Sequence, residues 1–156
     1  MKTLLLILFL GLSTGSLFAQ IPEGFLGEWE GSGSLMGNEA TFEMNWNLVL
    51  GNQFIKLTFS NAIINSTFKM DAHAYFQLVE DKSIKGYWFD SRGISFPLLG
   101  TIEGEALTTE WGSPDIEQGR TVYTLIEHDF ISVKDFVLKN NEYSLFAEAT
   151  YQRKNN

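Results

Sequence analysis

From residue 27 to the last strand, stretches in which apolar and polar residues alternate recur between turn signals, the period of a strand with one buried and one wet face. The clearest case is 40–48, where Ala40, Phe42, Met44, Trp46 and Leu48 share one face and Thr41, Glu43, Asn45 and Asn47 the other. Gly51-Asn52 turns the chain into a strand with Ile55, Leu57 and Phe59 in phase. Phe68, Met70, Ala72, Ala74, Phe76 and Leu78 then line one face, which puts His73 on the polar side. Turns at Asp81-Lys82 and Asp90-Ser91-Arg92-Gly93 bracket the strand that carries Trp88. Strands follow over 94–102, 106–111, 120–126, 131–138 and 143–153, and Pro97 predicts a bulge or a gap in the ladder. No segment spaces apolar residues helically over three turns; at most 21–26 forms a short helical turn. Ten strands on tight turns without a long crossover predict an all-β fold, a single antiparallel up-and-down barrel of about ten strands. Closure removes the open edges that a flat meander would expose.

The first strand, Gly27-Glu28-Trp29-Glu30-Gly31-Ser32-Gly33, sets Trp29, Gly31 and Gly33 on one face, a large ring followed by two positions without side chains. The expectation is that the tryptophan plugs one end and that Gly31, Gly33, Ala72 and Ala74 leave interior volume. The inward residues Phe42, Met44, Trp46, Met70, Phe76, Trp88 and Trp111 then line a cavity for a small apolar ligand. Arg120 and Tyr123 are the candidate polar anchors, to meet a carboxylate or hydroxyl. Aromatics pointing into a barrel either fill it or line a pocket, and a filled barrel acting through its surface is the competing outcome.

The start of the chain changes the picture of where this barrel works. Lys2 precedes the apolar run Leu4 to Leu10, which thins into small residues before Ala19, the pattern of a secretory signal cleaved after Ala19. Removing 19 of 156 residues leaves 137, residues 20–156, enough for one barrel domain in the periplasm or outside the cell. Lys2 leaves with the signal, so the net charge moves from −8 to −9; nucleic acid and stable membrane insertion are not expected. The sequence has no cysteine, so sheet pairing and burial hold the fold together.

Chemistry is sparse. With two distant histidines and no cysteine, no metal site is expected, and no nucleophile elbow or phosphate loop is present. No catalytic residue is assigned. A carboxylate on an apolar barrel wall would still suit acid–base work. Asp90 is open between that role, beside Trp88, and a turn cap; Arg120 is open between an anchor and a surface charge.

Gly27-x-Trp29 resembles the calycins, the lipocalins and fatty-acid-binding proteins, whose last strand often packs a basic residue on that tryptophan. The resemblance implies that Arg153 closes the barrel on Trp29. The longer Gly-x-Trp-x-Gly-x-Gly pattern and the strand count resemble the ten-stranded nitrobindin-like barrels. Trp88-Phe89-Asp90-Ser91-x-Gly93 with Trp111 is similar to secreted bacterial lipocalin-like proteins. Nitrobindins hold haem through a final-strand histidine that 143–153 lacks, so neither haem nor another cofactor is expected. The implied function is a secreted carrier of a fatty acid or lipid-like metabolite. The alternatives are a barrel enzyme of isomerase or hydrolase type, or a haem-binding barrel.

Overall fold

The computed structural model describes residues 21–80 and 82–155. The secretory signal expected over 1–19 lies outside the described residues. A 3-10 turn, Glu23–Phe25, leads into β1 (Gly27–Leu35), β2 (Asn38–Val49), β3 (Phe54–Ile63), β4 (Lys69–Glu80) and β5 (Ser83–Asp90). The second half is β6 (Ser95–Glu103), β7 (Ala106–Gly112), β8 (Gln118–Glu127), β9 (Phe130–Lys139) and β10 (Glu142–Arg153). Each strand pairs antiparallel with its chain neighbour and β10 pairs with β1, closing the barrel. The all-β up-and-down architecture read from the alternation is the one observed.

Local chemistry explains the tight turns. Met36-Gly37 and Asn140-Asn141 all take positive φ, at 51°, 78°, 51° and 63°, the two-residue hairpin geometry that matches strand twist and suits Gly and Asn. Pairing of β6 with β5 runs through Pro97 without a register shift, but pairing with β7 begins only at Leu98. The missing N–H is accommodated by a gap on the β7 side.

Because the meander is strictly sequential, the turns after β1, β3, β5, β7 and β9 gather at one end of the barrel, and the chain entry and remaining turns at the other. The entry end is sealed. Phe25, Trp29 and Trp46 have no accessible surface, and the Trp29 indole N–H donates to the Phe25 carbonyl at 2.9 Å. The Arg153 guanidinium lies 4.1 Å from the Trp29 ring and donates to the carbonyls of Leu26 at 2.6 Å and Gly24 at 2.7 Å. Its guanidinium also donates to the His128 carbonyl at 3.1 Å, so one side chain ties the entry turn, β10 and the β8–β9 turn together.

The glycines of β1 correct one expectation. A Cβ at Gly31 would meet the Tyr151 ring at 2.8 Å, and one at Gly33 would meet the Glu148 carbonyl oxygen at 2.0 Å. They leave no free volume: β1 pairs Gly31 with Tyr151 and Gly33 with Ala149, and β10 fills the space. Tyr151 then packs on Phe42 with ring centroids 6.0 Å apart. These glycines serve closure of the sheet by close backbone approach.

Candidate functional site

A cavity of ≈ 390 Å³ occupies the half of the barrel away from the sealed end. Its rim carries Met36, Phe68, Arg92, Glu117 and Lys139, one residue from or beside each of the five turns at that end. The size lies within the range of small-molecule sites, and the wall is mostly aromatic and aliphatic.

Of the residues singled out in the sequence, Met70, Phe76, Trp88, Trp111 and Tyr123 line this cavity. Phe42, Met44 and Trp46 point inward but are packed beneath it, each 3% exposed or less. Trp46 stacks on Phe76 at 5.7 Å and receives Tyr123 edge-on at 5.2 Å, so it packs beneath these two residues of the cavity wall and does not line the cavity itself. Arg120 is not in the lumen. It is three residues from Tyr123, and an odd step along a strand reverses the face. On the outer wall its guanidinium pairs with the cross-strand Glu110 at 2.6 Å and lies 4.2 Å from the Tyr143 ring, whose hydroxyl donates to the same carboxylate.

Asp90 is a turn cap. Its Oδ1 accepts the Arg92 backbone N–H at 2.9 Å, and Oδ2 accepts the Trp88 indole N–H at 3.1 Å and the Arg92 guanidinium at 2.7 Å. Burial pushes this carboxyl up, but the hydrogen bonds from Arg92 and Trp88 outweigh it and hold the group below the usual carboxylate range. Arg92 also reaches Glu117 at 2.9 Å, which ties the β5–β6 turn to the β7–β8 loop across the mouth.

The polar centre of the lumen is elsewhere. Asp135, on β9, shares its face with Ile131 and Val133 and projects into the cavity. The Trp111 indole N–H donates to the Thr121 hydroxyl at 3.2 Å, and that hydroxyl donates to Asp135 Oδ1 at 2.6 Å. Two donors thus run in series into one carboxylate. Thr109 contributes a longer contact, 3.5 Å from its hydroxyl to the Thr121 carbonyl. No cation pairs with Asp135 among the described residues, and burial pushes its carboxyl up to about 6, only partly opposed by the Thr121 hydrogen bond. Burial, and then the charge of Asp135, raise the Tyr123 hydroxyl.

Asp135 escaped the sequence reading because the apolar set of 131–138 changes face halfway, from Ile131 and Val133 to Phe136 and Leu138. β9 itself keeps one phase, with Val133, Asp135, Val137 and Lys139 all in the cavity wall, so Phe136 and Leu138 are apolar residues of its outer face; the irregularity is in β10, a bulge between Leu145 and Ala147 opposite Asp135 and Phe136. The extra residue turns Phe146 into the cavity, edge-on to Trp111 at 6.4 Å. An aspartate in phase with two inward β-branched residues was the available signal. Gly119 completes the arrangement: a Cβ there would meet the Trp111 ring at 2.1 Å, so its absence lets the indole lean toward Thr121.

Among the described residues no cluster of three metal-binding side chains occurs. No family model matches the chain, and no curated protein matches it. Among solved structures it is similar to the S-type phycobiliprotein lyase CPES from Guillardia theta. The TM-score is 0.47 at 11% sequence identity, over 86% of this chain and 90% of that one.

Proposed function

We propose that this protein is an exported binding protein that holds a small, mainly hydrophobic molecule of lipid-like character in the barrel lumen. The observation that carries this reading is the ≈ 390 Å³ cavity, sealed at the Trp29 end and opening between the five turns at the other. A core evolved only for stability packs to the density of an organic crystal, whereas here Phe59, Phe76, Trp88, Phe96 and Trp111 surround unfilled space. Export rests on the signal pattern of 1–19 and places the carrier in the periplasm or outside the cell. A second reading is favoured by Asp135. A carboxyl held at about 6 among apolar walls exchanges protons near neutral pH, which suits a barrel enzyme of isomerase or hydrolase type.

Native mass spectrometry of the mature protein, followed by denaturation and identification of what is released, tests the carrier reading. A co-purified apolar metabolite is the expected result. An empty protein that also fails to bind a neutral apolar fluorophore sinks it, and turnover of a released compound lost in Asp135→Asn moves the assignment to the enzyme.

A further inference from the structure

The cavity's own hydrogen-bonding groups are unevenly spent. Inside the lumen, the Trp111 N–H and the Thr121 O–H are committed to the chain's own acceptors. Among the described residues, the atoms left without a partner include two acceptors. Asp135 receives its one hydrogen bond on Oδ1, which leaves Oδ2 unpaired in the cavity wall. Asn61, 5% exposed and on the facing wall because β3 lies opposite β8 in the closed strand order, has a buried Oδ1 with no donor. The Tyr123 hydroxyl, also in the wall, has no partner among the described residues and serves either way. The indole N–H of Trp46 is unpaired too, but Trp46 does not line the cavity.

An unpaired buried acceptor costs free energy that a ligand donor recovers, and a carboxylate brought against Asp135 would add like-charge repulsion in a water-poor space. The cations available to offset such a charge are at the rim: Arg92 is held by Asp90 and Glu117, and Lys139 stands four residues along β9 from Asp135. Resting on the lumen-binding reading above, we infer that the ligand is an apolar molecule carrying a hydroxyl or amine donor that meets Asp135 Oδ2, and that the lumen discriminates against the matched carboxylic acid. A fatty acid is therefore a poor occupant and a long-chain alcohol or amine a good one.

The test is displacement of the neutral apolar fluorophore N-phenyl-1-naphthylamine from the mature protein by decanol, decylamine and decanoate near pH 7.5. Decylamine and decanol are expected to compete at roughly tenfold lower concentration than decanoate, since a charge-assisted or neutral hydrogen bond replaces a repulsion. In Asp135→Asn, which keeps shape and removes the charge, the spread is expected to close to within about threefold, the amine losing most. An unchanged far-ultraviolet circular dichroism spectrum and a cooperative urea transition of the variant report an intact barrel. If that variant does not fold, the wild-type order carries the test: the advantage of the amine over decanol, neither of which titrates in this range, shrinks as pH falls toward 5 and Asp135 takes up its proton. Decanoate competing as well as the others in the wild type, or an unchanged order in Asp135→Asn, overturns the inference and leaves the carrier reading standing. No fluorophore binding at all overturns the carrier reading and this inference with it.

Discussion

Asp135 is a single residue whose ionisation works against the fold. Its carboxyl sits at about 6 in the barrel against 3.8 in an unfolded chain, so the folded state binds a proton more tightly between those values. Stability therefore rises as pH falls through 6 toward 3.8, the reverse of a salt-bridged aspartate. Between about pH 7.5 and pH 4.5 the gain is at most about 2 kcal/mol, and water in the lumen reduces it. Asp90 does not obscure this window. Its carboxyl is held below the usual range, so its contribution is lost only as pH falls below 3.8. The urea midpoint of the wild type is expected to climb over the window while that of Asp135→Asn stays nearly flat, the variant being the more stable at pH 7.5. Parallel curves for the two proteins would show that Asp135 is not held as a buried, unpaired acid.

At the scale of elements, closure is a contract between β1 and β10, and two substitutions probe its two sides. Arg153→Ala removes the cation from the Trp29 face and leaves the Gly24, Leu26 and His128 carbonyls without their donor. The expected loss is about 2–4 kcal/mol in a urea titration, with Arg153→Lys restoring only part because a compact ammonium lacks the spread of the planar guanidinium fork and its stacking on the indole. Gly33→Ala presses a methyl onto the β10 backbone and is expected to cost about 3 kcal/mol, since backbone in a closed sheet has nowhere to move. These two sides were not equally legible. Gly27-x-Trp29 and the final Arg153 were visible as a pair, and alternation placed all ten strands. The role of Gly31 was not visible, because a glycine reads as space until the register sets Tyr151 opposite it. Arg120 was misplaced as an anchor by a single step of strand phase, and Asp135 was hidden by the apolar Phe136 and Leu138 on the outer face of β9, which blur the inward phase set by Ile131, Val133 and Val137.

For the whole molecule, the consequence of a sequential barrel is that one end is architecture and the other is access, and the four tryptophans divide between them. Trp29 and Trp46 are wholly buried under the seal at Phe25, whereas Trp88 and Trp111 line the cavity, their indole N–H groups held by Asp90 and Thr121. A molecule entering between the turns changes the polarity around the second pair and leaves the first untouched. Ligand binding is therefore expected to shift tryptophan emission in the wild type, and the shift should vanish in the double variant Trp88→Phe, Trp111→Phe while emission from the seal persists. The division also predicts the reverse experiment: Arg153→Ala, which loosens the seal, changes emission from Trp29 without ligand and leaves the ligand-induced shift in place. A ligand response that survives loss of Trp88 and Trp111, or disappears with Arg153 alone, would place binding at the sealed end or on the outer wall, and a ligand at either place would not meet Asp135.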